Sequence, residues 1–345
     1  MEDIYLSEFQ PRSELVVPVH EVPKPRFPVI DFHTHFGVGG RTYDLDEAMK
    51  GLDQAGVKAV VNLDGFWGER LDQVLEYTKD YSHRMVTFGN VDISRLDDPD
   101  WPEYVAGTLR RSYEKGIRGI KFFKSLSLEE KDKSGNYIPA DDDRLQPIWD
   151  TAAELCIPVL IHIADPIAFF RPVDGTNERF EELSLRPEWS FYKEGLFTYE
   201  ELMEQQQNLL AKNPDTIFVI AHVGSAAENL GWVAEQLDRF PNMYVDMAAR
   251  LAELGRQPYT AREFLIKYQD RFLFATDLFP GGHTIYPYYY RFLETKDEYF
   301  DYAPVCRQGR WKIYGVDLPD EVLEKIYYRN AIKLVPELEP MIAAD

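Results

Sequence analysis

Cysteine and long apolar runs are scarce in this sequence. Only two cysteines occur among 345 residues. Cys156 and Cys306 lie far apart and outside any metal-type or redox-type spacing, so a disulfide framework and a thiolate metal site are excluded, and we expect two buried thiols. No stretch approaches the ~18 apolar residues of a membrane span, and the N-terminus MEDIYLSEFQ does not have the basic start and apolar run of a signal peptide. The sequence predicts a cytoplasmic protein.

Basic residues are also fewer than acidic residues. The chain has 38 Lys and Arg residues against 59 Asp and Glu residues, a formal net charge of -21. This charge repels phosphate backbones and anionic lipid head groups, so nucleic acid and membrane surfaces are excluded as general partners. A small-molecule substrate remains, with self-association into a homo-oligomer left open. An anionic substrate would have to be drawn by local cations, because the overall field repels it.

The chain divides into two parts by composition. Residues 1–28 are rich in Pro and charge, and proline interrupts both helices and strand ladders, so we predict an N-terminal arm lying over the domain. Residues 29–345 form the predicted main domain. The whole chain has 45% hydrophobic residues and no low-complexity tract, so it can fill a sizeable core.

Eight short apolar runs alternate with amphipathic stretches such as LDEAMKGLDQAG and YEELMEQQQNLLAKNP. Buried parallel strands joined by helices explain this alternation, and eight such units favour a closed (β/α)8 TIM barrel. The alternative is an open doubly wound sheet, which usually carries a glycine-rich phosphate turn after its first strand, and DFHTHFGVGG lacks that pattern. The runs cover residues 28–35, 57–64, 85–92, 117–123, 157–163, 216–223, 243–248 and 271–277.

Two connections are much longer than the others. They follow strands 5 and 8, from Ala164 to about Tyr199 and from Leu278 to about Tyr314. In a barrel, strand-to-helix connections lie at the catalytic face, so we expect both insertions to shape the pocket.

Five residues with metal-ligand chemistry lie at predicted strand ends. His33 and His35 are two residues apart at the end of the first strand, which places both imidazoles on one face. His162, His222 and Asp277 end the fifth, sixth and eighth runs. Because the carboxyl ends of barrel strands meet at one face, these groups are expected to converge, and neutral imidazole with carboxylate suits zinc, manganese or iron.

The pattern of HxH on strand 1, His on strands 5 and 6 and Asp on strand 8 resembles the amidohydrolase superfamily from about Val29 to Val335. GIKFF, DDRLQPIWDTAAELCIPVLIH and KIYYRNAIKL are similar to its amidohydrolase-related branch, the aminocarboxymuconate-semialdehyde decarboxylase-like metal-dependent hydrolases. The resemblance implies one or two divalent ions, zinc first, with ligands His33, His35, His162 and Asp277. His222 is implied as either a ligand or a proton shuttle.

The catalytic roles follow from this ligand set. Asp277 can receive the proton of an attacking water, and His222 can stabilise or protonate a developing oxyanion or leaving group. Lys121 ends strand 4, where binuclear relatives carry a carboxylated lysine that bridges two metals. We leave open whether Lys121 is such a ligand or a plain cation that faces the pocket, and we expect Lys124 to face solvent or a loop.

Other polar residues are candidates for supporting roles. Asp31, Asp64 and Asp246 lie at strand ends, where they could orient ligands or form ordinary buried hydrogen bonds. Candidates for substrate binding lie in the two insertions and after strand 7, and they are Arg171, Arg179, Arg250 and His283.

Three functions are compatible with this site. The first is metal-dependent hydrolysis of a small amide, ester or lactone through metal-activated water. The second is nonoxidative decarboxylation of an aromatic or unsaturated carboxylic acid. An arginine, Arg171 or Arg179, that binds the substrate carboxylate and a pocket wall formed by Phe36, Trp67 and Phe123 would favour this reaction. The third is a noncatalytic barrel that retains its metal, and the complete ligand set argues against it.

Overall fold

Each predicted apolar run contains one strand, and the strands are parallel and fully buried at their centres. The computed structural model describes residues 3–6, 8–37 and 43–343, so the two ends of the chain, residue 7 and residues 38–42 lie outside the description. The strands are β1 (Val29–Thr34), β2 (Val57–Asn62), β3 (Met85–Thr87), β4 (Ile120–Phe122), β5 (Val159–Ile161), β6 (Phe218–Ile220), β7 (Met243–Asp246) and β8 (Phe272–Leu273).

The strands form two parallel sheets, ordered β1-β2-β3 and β4-β5-β6-β7-β8. At one seam a single parallel bridge joins Gly89 to Ile120, and at the other Thr34 joins Leu278, so the ladder is not continuous around the barrel. The predicted (β/α)8 barrel is confirmed. Most of the strands are shorter than the apolar runs, which extend beyond the ladder at one or both ends.

Helices fill the intervals between the strands. They are α1 (Leu45–Ala55), α2 (Gly68–Thr78), α3 (Trp101–Lys115), α4 (Ser125–Leu128), α5 (Gln146–Glu154), α6 (Phe180–Leu185), α7 (Tyr199–Lys212), α8 (Ala221–Gly224), α9 (Leu230–Arg239), α10 (Leu251–Gly255), α11 (Pro258–Lys267), α12 (Tyr286–Glu294), α13 (Asp320–Glu324), α14 (Asn330–Leu334) and α15 (Glu339–Ala343). A π-helical turn, Lys325–Arg329, joins α13 to α14. None of the helices in the described ranges combines the length and apolar character needed to cross a bilayer.

Helix α1 shows how local sequence sets these elements. The side chain of Asp44 accepts a hydrogen bond from the backbone N–H of Glu47 at 3.0 Å and caps the helix. Leu45, Met49 and Leu52 recur at helical spacing and are buried against the barrel. The helix ends at Gly56, whose φ of 76° is a left-handed conformation that glycine adopts without steric cost.

The insertions after β5 and β8 are long, as predicted, and a third long connection follows β4. It runs from residue 123 to residue 145 and contains α4. The insertion after β8 is anchored by α12, which buries the aromatic side chains of Tyr286, Tyr289, Tyr290 and Phe292.

The expectation of two buried thiols is wrong. Cys156 is exposed and Cys306 is half-buried, and both are free. Cys156 follows the last turn of α5 with a φ of 54°, and this turn places the residue at the surface although its neighbours in sequence are apolar.

The described part of the N-terminal arm contains no helix or strand and is attached to the insertion after β8. Arg310 donates hydrogen bonds to the carbonyl oxygens of Leu6 and Phe9. Further along the arm, the buried carboxylate of Asp297 accepts from the backbone N–H of His20 at 2.7 Å and from Arg291 Nε at 2.6 Å. Near the end of the arm, the backbone N–H of Arg26 donates to Glu294 at 3.0 Å, and its guanidinium pairs with Asp320. The arm is therefore held at three points, mainly through charged groups.

We expect Asp297→Asn to loosen the arm. The neighbours His20 and Arg291 outweigh the effect of burial and hold the pKa of Asp297 below its usual range, so this stabilisation is lost as pH falls below about 4. The asparagine should cost about 2 kcal/mol of unfolding free energy, because bonds to a charged group are lost, and should speed tryptic cleavage at Arg12. Asp301→Asn, at an exposed aspartate, is the matched control. Equal cleavage rates in the two variants would contradict the assignment.

Candidate metal centre

The candidate ligands follow β1, β5, β6 and β8 and meet at one mouth of the barrel. His33 lies within β1 and His35 directly after it, so the alternation of the strand turns both imidazoles to the same face. His162 directly follows β5, and His222 is two residues past β6. One donor atom from each of His33, His222 and Asp277 lies within 4.8 Å of the others.

Left-handed backbone conformations turn two of these side chains into the mouth. His222 has a φ of 59° and Asp277 a φ of 67°. Such a conformation costs roughly 1 kcal/mol for a residue with a Cβ, and it persists where surrounding bonds enforce it. Here the N–H of His222 donates to Asp246 Oδ1 at 2.8 Å, and the N–H of Asp277 donates to the His33 carbonyl at 2.8 Å.

Fixed acceptors orient the imidazoles. His33 Nδ1 donates to Asp246 Oδ2 at 2.9 Å, and His222 Nδ1 donates to the carbonyl oxygen of Ala248 at 2.8 Å. With the proton on Nδ1, each ring presents the lone pair of Nε2 to the centre of the site. Burial lowers the pKa of both rings well below the usual range, and nearby Lys121 further lowers the pKa of His33. Each ring is therefore in the neutral form that binds metals.

His35, unlike His33 and His222, is positively charged. Its Nδ1 donates to Asp64 at 2.7 Å, and its Nε2 donates to Asp277 Oδ1 at 3.0 Å. Burial alone would lower the pKa of His35, but the two carboxylates outweigh burial and raise that pKa to about 9. The carboxylate of Asp277 is partly exposed, and its pKa is held well below the usual range by His33 and His35 in spite of burial.

His162 completes the cluster and tests whether a metal fits it. Its ring centroid is 4.2 Å from that of His222, and burial lowers its pKa. Its Nε2 is buried, and its nearest acceptor among the described residues, Asp165 Oδ1, is 3.4 Å away, without the geometry of a hydrogen bond. A buried, unbonded imidazole nitrogen is costly unless something binds it. Together with Asp277 and neutral His33 and His222, this donor set fits a divalent transition metal.

A cavity of about 230 Å³ opens beside His162, His222 and Asp277; we call it the β5–β8 cavity. Arg250 and Arg179 both line it, but their surroundings differ. Arg179 is buried in ion pairs with Glu182 and Glu253. Arg250 donates to the carbonyl oxygen of Ala249 at 3.0 Å, and its nearest carboxylate oxygen, on Asp165, is 3.5 Å away.

Two predicted substrate-binding residues lie elsewhere. Arg171 is half-exposed and pairs with Glu200 at 2.6 Å, outside the β5–β8 cavity. His283 packs over α1, so closely that a Cβ on Gly51 would lie 2.5 Å from His283 Nδ1. Of the four substrate-binding candidates, the structure therefore brings Arg179 and Arg250 to the cavity beside the candidate ligands.

Lys121 is buried in β4, and its Nζ lies 3.4 Å from His33 Nε2. No carboxylate in the described ranges forms an ion pair with this ammonium group, and burial lowers its pKa to about 8. Its role, as bridging ligand or as plain cation, stays a prediction.

Sequence reasoning missed the role of Asp165. Its carboxylate binds Lys124 Nζ at 2.5 Å and lies 3.4 Å from His162 Nε2. Lys124 therefore faces the loop after β5, as predicted, and it also lines the β5–β8 cavity. The position of Asp165 three residues after His162, past the same strand end, was the only signal.

Of the three supporting aspartates, Asp246 and Asp64 contact the ligand rings described above. Asp31 instead accepts from the backbone N–H of His33 and from Tyr286 Oη at 2.7 Å, and burial raises its pKa to about 7. Asp31 therefore orients the backbone of β1, while the other two orient imidazoles.

Comparisons with solved structures support the architecture. A putative amidohydrolase from Staphylococcus aureus is 17% identical, with a TM-score of 0.57, over 90% of this chain and 100% of that chain. 2,6-Dihydroxybenzoate decarboxylase from Rhizobium is 15% identical, with a TM-score of 0.57, over 89% and 98%. 4-Oxalomesaconate hydratase from Rhodopseudomonas palustris is 16% identical, with a TM-score of 0.52, over 92% and 98%. At these identities the similarity shows the fold alone.

No curated protein matches the chain. The family model described as Amidohydrolase matches residues 30–336, which include every candidate ligand and all of the eight strands except the first residue of β1. The chain belongs to the amidohydrolase family.

Proposed function

We propose that this protein is a metal-dependent hydrolase that acts on a small amide, ester or lactone. The observation that carries the proposal is the convergence of His33, His222 and Asp277, whose donor atoms lie within 4.8 Å of one another beside an open cavity. The family and its structural neighbours are mostly metal-dependent enzymes, which agrees with this donor set.

His33, His162, His222 and Asp277 would hold the ion, and His35 would join them as a ligand once its Nε2 gives up the proton that it now donates to Asp277. A divalent metal supplies Lewis-acid chemistry there, because it polarises a substrate oxygen and makes water more acidic. Zinc suits a set of imidazole and carboxylate ligands, with manganese and iron as alternatives.

The chain itself supplies proton transfer. Asp277 is partly exposed to the β5–β8 cavity and can accept the proton of an attacking water. His222 faces the same cavity, and its Nε2 lies 3.2 Å from His162 Nδ1, so the two rings can hold or pass a proton between them. Arg250 can position an anionic group of the substrate.

Nonoxidative decarboxylation is the second candidate. It is favoured by two buried cations at the site. Lys121 forms no ion pair with a carboxylate of the described residues, and Arg250 contacts Asp165 only at the long distance of 3.5 Å. Such cations can hold a substrate carboxylate against aromatic walls. A 2,6-dihydroxybenzoate decarboxylase is among the proteins with a similar fold.

The two candidates differ in their products. Metal-loaded protein would be incubated with a panel of lactones, esters and amides, and separately with hydroxybenzoic acids, while acid release and carbon dioxide release are both followed. We expect acid release from the first panel and no carbon dioxide from the second. Carbon dioxide release without hydrolysis would replace the proposal with the second candidate.

We expect about one metal ion per chain, and we expect Lys121→Met to leave this content unchanged, because the described residues contain one group of three converging donors. Elemental analysis of protein purified without chelator measures it. Two ions per chain, falling in the Lys121 variant while Lys124→Met has no effect, would contradict this expectation and indicate a carboxylated lysine bridge.

A further inference from the structure

A second cavity, of about 410 Å³, flanks the candidate metal centre on the side of β2, β3 and β4; we call it the β2–β4 cavity. Lys121 and Phe123 line its inner end. The ring of Phe123 stacks on that of His35 at a centroid distance of 6.0 Å, and Lys121 Nζ lies 3.4 Å from His33 Nε2. The cavity therefore begins at residues that contact the candidate ligands.

Arg70 lines the same cavity, and its side chain is exposed there. Its guanidinium lies over the ring of Phe66, 3.4 Å from the centroid. Within the described residues it forms no ion pair with a carboxylate, although the sequence contains 59 acidic residues, and most of its arginines are paired. An unpaired cation on an aromatic platform is available to an incoming anion.

The platform beneath Arg70 is firmly held. Phe66 has a φ of 55°, and its backbone N–H donates to Asn90 Oδ1 at 3.0 Å. The amide Nδ2 of Asn90 donates to the Lys121 carbonyl at 2.5 Å. The buried side chain of Asn90 thus ties the loop that carries Phe66, just before the helix that carries Arg70, to the strand that carries Lys121.

The remaining walls are mainly flat and apolar. Of the predicted aromatic wall, Trp67 and Phe123 line this cavity, whereas Phe36 is buried and lines a separate, small cavity. Two carboxylates also line the cavity. Asp92 Oδ1 accepts from the Ser94 N–H at 3.0 Å, whereas Glu130 is exposed at the cavity. The cavity therefore suits a planar molecule. Arg70, a cation of its lining without an ion pair among the described residues, lies away from Lys121 and Phe123 at the inner end.

We propose that the β2–β4 cavity binds the far end of the substrate, that this substrate is a flat organic acid with a carboxylate remote from its reacting group, and that Arg70 binds that carboxylate. The inference rests on the proposed function only in that the reacting group is placed at the candidate metal centre. It names a substrate class and a specificity-determining residue, because a molecule without the remote anion would lose the Arg70 contact.

The test compares flat acids that differ only in the remote carboxylate. Binding to metal-loaded protein is measured by isothermal titration calorimetry with terephthalate against benzoate, and with naphthalene-2,6-dicarboxylate against 2-naphthoate. We expect at least one dianion to bind more tightly than its monoanion. Arg70→Gln should weaken the binding affinity for the dianion by about tenfold and leave the affinity for the monoanion unchanged, as expected when one charge-assisted contact is lost.

Two control variants separate this contact from a general change of charge. Arg111→Gln removes an exposed arginine on α3 that donates to Thr108, and it should leave both affinities unchanged. Glu130→Gln should strengthen dianion binding, because it removes a negative charge from the cavity. Equal binding of dianions and monoanions by the unaltered protein, or equal loss in the Arg70 and Arg111 variants, would overturn the proposal. Metal content and turnover are measured separately, so these outcomes leave the proposed hydrolysis untouched.

Discussion

His33→Ala is expected to leave the protein without bound metal and without turnover. His33 is one of three residues whose donor atoms lie within 4.8 Å of one another, and its Nδ1 is held by Asp246 so that Nε2 faces the other donors. Changing an outer partner of a metal ligand typically costs about 10–100-fold in metal affinity, and removal of a ligand should cost more. Elemental analysis and kcat/KM measure the two losses.

The alanine also leaves the buried carboxylate of Asp246 without one of its partners, which should cost about 1–3 kcal/mol of unfolding free energy. A melting curve against metal-free unaltered protein separates this effect from the loss of the ion. His83→Ala is the matched control, because His83 is exposed and lies outside the site. Metal content in the His33 variant equal to that of the control would remove His33 from the ligand set.

Asp277→Asn should lose most turnover while it keeps much of the metal. Asparagine has the same shape and an amide oxygen that can still contact an ion, but it cannot accept the proton that we assign to the Asp277 carboxylate. Loss of such a general base lowers kcat by about 100-fold to 10,000-fold. The backbone should tolerate the change, because asparagine, like aspartate, adopts the left-handed conformation found here, with a φ of 67°.

Asp317→Asn is a matched control for this variant. Asp317 also has a positive φ, 44°, but lies in the insertion after β8, where it pairs with Lys296. The expected pattern is loss of kcat in the Asp277 variant alone, with KM and the melting temperature little changed. Near-native turnover in the Asp277 variant would assign proton transfer to another group, such as the adjacent His222 and His162 pair.

The two cavities relate these predictions to substrate choice. The β5–β8 cavity contains Arg250, and the β2–β4 cavity contains Arg70, with the candidate metal centre between them. A substrate that spans from the centre towards Arg70 would place its reacting group near Asp277. The Asp277 variant tests the chemistry and the Arg70 variant tests recognition, so the two can fail independently.

The amino-acid sequence by itself determined the barrel and the identity of the candidate ligands. Strand and helix periodicities are local properties, so eight apolar runs separated by amphipathic stretches predict the element order without knowledge of contacts. A polar residue at the end of a buried strand is equally local, which is why His33, His162 and Asp277 could be selected from the sequence. Parallel strands then bring those ends to one face.

Only the tertiary structure decided which cations reach the site and which carboxylates orient it. Arg171 and Arg250 look alike in sequence, yet one pairs with Glu200 at the surface and the other lines the β5–β8 cavity. The role of Asp165 and the unpaired state of Arg70 depend on how long loops fold back over the barrel. Charge pairing between loops is set by distances across the fold, and residue type and spacing along the chain do not encode those distances.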